Sequence, residues 1–364
     1  MKLRPFRLEH YYAEHEFTAR YMLSSSDAES RSVGELLALE PGAEQALLAL
    51  RLGYTESAGA PALRQAIAGL YQTVTPDDVL VCSSAEEAIF VLYHAFLGPG
   101  DHAIVETPGY ESAFELARST GAEVSPWPRR WEDGWAHDLD ALRRLVRPST
   151  RLLYVNTPHN PTGTHLGRAG LDALVGIARD AGAVLFSDEV YRGLEHDPAD
   201  RLPAAADLDE RAVSLGSMSK SYGLPGLRLG WLVTRDARLR EAAIACKHYT
   251  TICSSAPSEV LATLALRHRE TLLARNRDLV RTQVALVDAL FARHPERFAW
   301  VRPVAGPVGF PRLSEPAAPF CARLLAETGV LLLPGDVFDQ PEHVRIGFGR
   351  ANLPEVLARF EAWL

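Results

Sequence analysis

Lys220 lies in the run Ser217-Met218-Ser219-Lys220-Ser221-Tyr222-Gly223-Leu224-Pro225-Gly226-Leu227-Arg228-Leu229-Gly230-Trp231. A small hydroxyl stands three residues before the lysine and an arginine eight residues after it. These groups suit a phosphorylated aldehyde held covalently. The lysine supplies the amine for a Schiff base, and the hydroxyls and guanidinium supply donors for a phosphate dianion. Read alone, the same run is also a polar loop leading into a strand.

Four more stations precede it. Ser83-Ser84-Ala85-Glu86 opens a helix with small residues, whose free backbone N–H groups attract a phosphate; Ser84 is equally a plain N-cap. Thr107-Pro108-Gly109-Tyr110 is a turn that could lay a tyrosine ring over a flat heterocycle. In Asn156-Thr157-Pro158-His159-Asn160-Pro161-Thr162-Gly163, prolines and a glycine fix the backbone and aim the Asn160 amide inward. Ser187-Asp188-Glu189-Val190-Tyr191 ends an apolar run with a carboxylate. Buried there, it is costly unless paired. A cationic ring nitrogen would pair it, with Tyr191 reaching an oxygen on the same ring.

The elements that must position these groups alternate. Apolar runs at 78–82, 102–106, 151–155, 183–187, 212–216 and 227–232 read as strands, with helical patterns at 85–97, 111–120 and 171–181 between them. Helices between strands imply crossovers and a mostly parallel sheet buried on both faces. In such sheets, ligands gather at the C-terminal strand ends, where all five stations fall. The predicted fold is therefore α/β, a large domain over 46–257. A long helical pattern over 258–293 follows, then a smaller α+β domain over 294–364 with short strands and two helices. Residues 1–45 fit no sheet and are expected to pack on the small domain or on a partner subunit.

Composition sets the limits. The chain has 364 residues, 47% hydrophobic and 23% charged, ordinary for a globular protein. A net charge of −8 argues against a nucleic-acid partner. No apolar run is long enough for a membrane span, and the N-terminus has no apolar signal core. Cys82, Cys246, Cys253 and Cys321 lack C-x-x-C spacing and read as scattered thiols in a reducing cytoplasm. Ser217-x-x-Lys220 also matches a serine β-lactam motif, but no K-T-G or S-D-N follows. His10, His15 and Glu16 make a poor zinc pattern and read as a solvated helix face, so no metal is expected.

Together, H-N-P-T-G at 159–163, S-D-E-V-Y at 187–191 and the Lys220 run resemble the aspartate-aminotransferase-like, fold type I superfamily of pyridoxal-phosphate enzymes, in its class I and II aminotransferase branch. The resemblance covers roughly Gly53 to the C-terminus. It implies that Lys220 forms the Schiff base and then shuttles the proton, and that Asp188 pairs with the pyridinium nitrogen. Asn160 and Tyr191 would bond the phenolate oxygen, and Tyr110 would stack on the ring. Ser84, Ala85, Glu86, Ser217, Ser219 and Arg228 would hold the phosphate, joined by Tyr54 from the neighbouring subunit. Arg345, in His343-Val344-Arg345-Ile346-Gly347-Phe348, would clamp the substrate carboxylate, with Asn160 and Ser25 beside it. The resemblance thus implies a homodimer with shared sites, acting on an amino acid and a 2-oxo acid.

The chain departs from the family in two places. Most relatives carry Leu-x-x-Gly-Glu-Pro-Asp-Phe near the N-terminus; here the stretch is Leu23-Ser24-Ser25-Ser26-Asp27-Ala28-Glu29-Ser30. Glu86 stands where a small hydroxyl residue is common, so only its backbone N–H is expected to serve the phosphate, with the side chain turned away. The serine-rich segment resembles the capreomycidine-synthase-like members, which cyclise an arginine derivative. Amino transfer is the leading reading. A lyase or cyclase on the same site is the alternative, and a catalytically silent cofactor-binding protein the remote one.

Overall fold

The apolar runs assemble into one seven-stranded sheet in the computed structural model, which describes residues 3–364. Its strands are β1 (Val79–Cys82), β2 (His102–Thr107), β3 (Glu123–Pro128), β4 (Thr150–Asn156), β5 (Val184–Asp188), β6 (Val213–Ser217) and β7 (Gly230–Val233). Their order is β1-β7-β6-β5-β4-β2-β3. The run from β6 to β3 is parallel, and β7 lies antiparallel to both its neighbours. Every residue of β1, β5, β6 and β7 is buried, as continuous apolar strands covered on both faces require. β3 was not anticipated from the sequence. It carries Pro126 and Pro128, and prolines are tolerated at the sheet edge it occupies.

Three helices bear on the site: α1 (Arg7–His15), α2 (Ala85–Phe96) and α3 (Glu111–Ser119). The pattern expected over 258–293 is not one helix. It divides at His268, where the backbone leaves helical angles (φ −104°, ψ 22°), into Ala256–Arg267 and Arg269–Arg293.

Smaller sheets form from the remainder. Val344–Gly347 pairs antiparallel with Val308–Gly309 and Leu333–Pro334, and Phe298–Ala299 pairs with Arg312–Leu313. Contrary to expectation, the N-terminal residues also join a sheet: Tyr21–Met22 runs parallel to Val330–Leu331. Two residues give too little alternation to be legible in sequence. From there the chain runs hard against Val344–Gly347, with Gly347 N–H donating to Leu23 O at 2.8 Å. A Cβ on Gly347 would strike Ser25 O, and one on Gly349 would strike Asp27 O. This segment therefore shares one apolar cluster with the small sheets, Leu23 packing in the same group as Val330, Ile346 and Phe348.

Candidate active site

The C-terminal ends of β2, β4, β5 and β6 open into a cavity of about 430 Å³. Its lining includes Ser25, Ser84, Ala85, Glu86, Tyr110, Asn160, Asp188, Tyr191, Ser217, Ser219, Lys220, Arg228 and Arg345. The stations read from the sequence thus come together in one place, Tyr54 excepted.

Lys220 follows β6 in a loop tied down at both ends. Met218 N–H donates to Leu229 O, Leu224 N–H to Met218 O, and Asn276 Nδ2 to Ser221 O. Gly223 sits at φ +67° with Glu29 O crowding it, a conformation that favours glycine. Lys220 Nζ donates to Ser26 Oγ at 2.8 Å. Burial lowers its pKa and Arg345 adds to this, against the pull of Asp27, Glu9 and Asp188. The amine is thereby eased toward the neutral form that a nucleophile or base needs.

Asp188 ends β5. Its Oδ2 accepts from Tyr154 Oη at 2.9 Å and its Oδ1 from Val190 N at 3.2 Å. Burial raises its pKa to about 6, although these donors and Lys220 favour the charged form. This is a buried carboxylate with an anion's hydrogen bonds and no ion-pair partner among the described residues. Asn160 accepts from Arg345 Nη1 at 3.1 Å through its Oδ1, leaving its amide protons directed elsewhere. Its loop requires Gly163, which lies at φ +68°, because a Cβ there would strike Val308 O. Tyr191 is buried beside Ser26 and Arg345, and burial raises its phenol above the usual range against both. Tyr110 donates to Glu9 Oε1 at 3.0 Å and packs on Phe6.

The opposite wall joins the start of α2 to the residues after β6. Ser84 is the N-cap, accepting from Glu87 N at 3.1 Å, so its hydroxyl oxygen is committed as the plain capping reading anticipated. Ser217 Oγ accepts from Ser219 N at 2.9 Å. Arg228 sits in the left-handed region at φ +47° and donates only to Pro225 O among the described residues. A Cβ on Gly230 would lie 2.6 Å from Ala85 N, so the two chain segments meet with no room for a side chain. Glu86 corrects an expectation: it does not turn away but lines the cavity.

Arg345, 2% exposed, donates to Ser24 O at 3.0 and 3.3 Å, to Asn160 Oδ1 and to Tyr12 Oη at 2.6 Å. Ser25 Oγ accepts from Arg350 Nε at 3.3 Å, and Arg350 pairs with Asp27 at 3.0 Å. Tyr54 is 93% exposed and takes no part in the cavity.

Several site residues escaped the sequence reading. Glu9, Tyr12 and Glu16 line the cavity from α1 and the residue after it. Their three- and four-residue spacing marks one helix face, a signal present in the sequence; Glu16, read there as solvated, is exposed at the cavity rim. Asp27, Ser26 and Arg350 also line it. Tyr154 was hidden because it lies inside an apolar strand run.

Pyridoxal phosphate fits these residues. Asp188 is a buried anion without a cation, Lys220 a half-buried amine, and Arg228 a cation with no carboxylate in ion-pair contact beside the first amides of α2. Among the described residues no His, Cys, Asp and Glu group could hold a metal ion.

The chain is similar to known proteins over most of its length. The family model for aminotransferase class I and II matches residues 39–360. Capreomycidine synthase of Streptomyces vinaceus is 35% identical over 345 residues, 94% of this chain and 88% of that protein. Arginine–pyruvate transaminase of Pseudomonas aeruginosa is 33% identical over 322 residues, 83% and 79% of the two chains. The crystal structure of a PLP-dependent aminotransferase from Streptococcus suis superposes with a TM-score of 0.95 at 32% identity, covering 100% of this chain and 98% of that one. A half-buried lysine and an unpaired buried carboxylate in one cavity of this fold, with these relatives, identify the chain as a member of the class I and II aminotransferase family, a fold type I pyridoxal-phosphate-dependent aminotransferase.

Proposed function

We propose that this enzyme takes its amino group from a cationic amino acid, one ending in a guanidinium or ammonium group, and passes it to a 2-oxo acid. The observation that carries this is the group of carboxylates that lines the cavity together with Arg345. Glu9, Glu16 and Asp27 line the same cavity. Glu9 is engaged by Tyr110 and Asp27 by Arg350, but Glu16 has no ion-pair partner among the described residues. Partial burial raises its pKa, and Asp27 and Glu9 add to this, so a cation there would relieve three crowded carboxylates. The identity to an arginine–pyruvate transaminase supports the same substrate class.

Bound pyridoxal phosphate supplies an aldehyde that condenses with amines and an electron sink for the electrons released at Cα. The chain's own residues do the rest. Lys220 would anchor the aldehyde between turnovers, and once free its Nζ would take the Cα proton of the donor amino acid and, in the return half of the cycle, give a proton to Cα of the product formed from the 2-oxo acid. Asp188 keeps the ring nitrogen protonated, since an opposite charge within a few ångströms favours the charged form. Asn160 and Tyr191 hold the ring oxygen and Tyr110 covers the ring face. Ser217, Ser219, Arg228 and the first amides of α2, at Ala85 and Glu86, hold the phosphate. Arg345 receives the α-carboxylate as a planar fork, which fixes the Cα–H bond against the ring.

The assembly is a homodimer. The exposed Leu48, Leu52, Tyr54, Tyr249 and Ile252 support this, since Tyr54 and Tyr249 each leave more than nine-tenths of their surface uncovered. Tyr54 completes the partner's phosphate site. Four free cysteines accord with a cytoplasmic location, and no described helix is long and apolar enough to cross a membrane.

A second reading, cyclisation of a cationic amino acid on the same site, is supported by the 35% identity to capreomycidine synthase. One experiment separates the two. Arginine labelled with 15N at the α-amino group is incubated with the holoenzyme and pyruvate. Label arriving in alanine establishes transfer; label retained in a cyclised product replaces it with the second reading.

A further inference from the structure

Glu86 lends its amide to the phosphate site proposed above, but that reading leaves its side chain without a role. It is the second residue of α2, two positions past the Ser84 cap, and lines the cavity beside Ala85, Ser217, Ser219 and Arg228. Its neighbour Glu87 is fully engaged, accepting from Ser83 N at 2.6 Å and from the Thr250 and Thr251 hydroxyls. Glu86 has no ion-pair partner among the described residues. The groups around it come from four elements: Glu9 of α1, Tyr110 and Ser112 at the start of α3, Asp188 ending β5, and Arg228 after β6. Two of these are carboxylates. A negatively charged Glu86 would therefore face Glu9, Asp188 and an incoming phosphate dianion.

We propose that Glu86 acts as a neutral carboxylic acid that donates a hydrogen bond to the cofactor's phosphate, so that this enzyme's hold on its cofactor weakens as pH rises. A protonated carboxyl has one O–H donor, as a serine or threonine hydroxyl does. An O–H to a phosphate oxyanion is a charge-assisted bond. The ionised form has no donor and repels the dianion. Burial is the main influence favouring the acid and raises its pKa to about 7; Glu9 and Asp188 push the same way. Arg228 opposes them, as does the buried Ser112 hydroxyl, which has no partner of good geometry. A bound dianion adds a further upward push. The donor is thus present below about pH 7 and is lost as pH rises through the carboxyl's pKa.

The test is the dissociation constant of pyridoxal phosphate from pH 6 to 9, read by absorbance titration of the refolded apoenzyme, for the wild type and Glu86→Gln. Glutamine donates but does not titrate. Titration of the phosphate and of Lys220 is common to both proteins and cancels in the ratio of the two constants. That ratio should be nearly flat below pH 7. By pH 8 about one-tenth of the carboxyl remains protonated, so wild-type binding should weaken about tenfold relative to Glu86→Gln. Glu86→Thr, which restores the usual hydroxyl, should behave like Glu86→Gln and serves if the glutamine variant misfolds. Parallel curves across the range, or a wild type that tightens with pH relative to both variants, overturn the proposal. Absence of binding in all three proteins would instead overturn the cofactor assignment on which it rests.

Discussion

Tyr154 Oη donates a hydrogen bond to Asp188 Oδ2 at 2.9 Å, from the middle of one strand to the end of the next. The bond favours the charged form of the carboxyl that, on the proposed reading, pairs with the cofactor ring. Tyr154→Phe should leave the cofactor bound but allow burial to carry the Asp188 carboxyl above its value of about 6. Hydrogen bonds to charged groups contribute about 1.5–3 kcal/mol, so kcat should fall roughly ten- to a hundredfold at neutral pH. The acidic limb of the rate profile should move to higher pH. Steady-state kinetics across pH 6–9 check this; an unshifted limb removes the role.

Arg345 is a fork, and an ammonium cannot reproduce its two parallel bonds. Arg345→Lys should raise KM for amino acids by one to two orders of magnitude, with little change for simple amines that lack a carboxylate. Equal losses for both would mean that the arginine chiefly ties Ser24 and Tyr12 together.

Glu16→Gln tests the acidic rim. A partly exposed carboxylate–cation contact is modest, about 1 kcal/mol. KM for arginine should accordingly rise about fivefold while KM for alanine stays level. Equal effects on the two substrates would place the selectivity elsewhere.

Site sharing predicts complementation. Lys220→Ala homodimers should be inactive and Tyr54→Phe homodimers weak in cofactor affinity. Mixed and allowed to exchange subunits, they should form hybrids with one doubly damaged site and one intact site. At limiting cofactor the mixture should then exceed the sum of its parts. Strict additivity, or a monomer in sedimentation, would refute the sharing.

His343 is buried, 4% exposed, with neither ring nitrogen hydrogen-bonded, among Trp131, Trp135 and Phe310. Burial pushes its pKa down to about 4, and Arg312 adds to this. The unfolded imidazole takes a proton near pH 6.5, so between there and pH 4 the unfolded state binds more protons. Stability must fall across that window as pH drops. His343→Phe should raise Tm at pH 7 by a few degrees, since two unsatisfied nitrogens are removed, and flatten the acid slope. Part of the slope should remain from His159, whose pKa burial lowers to about 3. An unchanged slope would show that His343 is hydrated.

How far the site could be read from the sequence followed the chemistry. Lys220, Asp188 and Asn160 stood out because each is a polar group just past the end of a strand run, the place where an α/β sheet binds its ligands; Arg345, inside a short strand of the small sheet, came only with the family resemblance. Tyr154 did not, because a tyrosine inside an apolar run looks like core, and its hydroxyl acquires meaning only once β5 lies alongside. The antiparallel setting of β7 was equally hidden, since its buried residues read the same in either direction. Glu86 could be seen as an oddity in the sequence, but its inward placement depends on how α2 meets α3.

One arginine carries a final consequence. A guanidinium has five N–H donors, and Arg345 already engages four: two on Ser24 O, one on Asn160 and one on Tyr12. A carboxylate seated two-pronged requires two. Its arrival must therefore displace at least one resident acceptor, and three of the four engaged donors reach Ser24 or Tyr12, in the N-terminal segment. On the reading proposed above, substrate would not enter a finished socket: it would exchange places with part of the N-terminal segment.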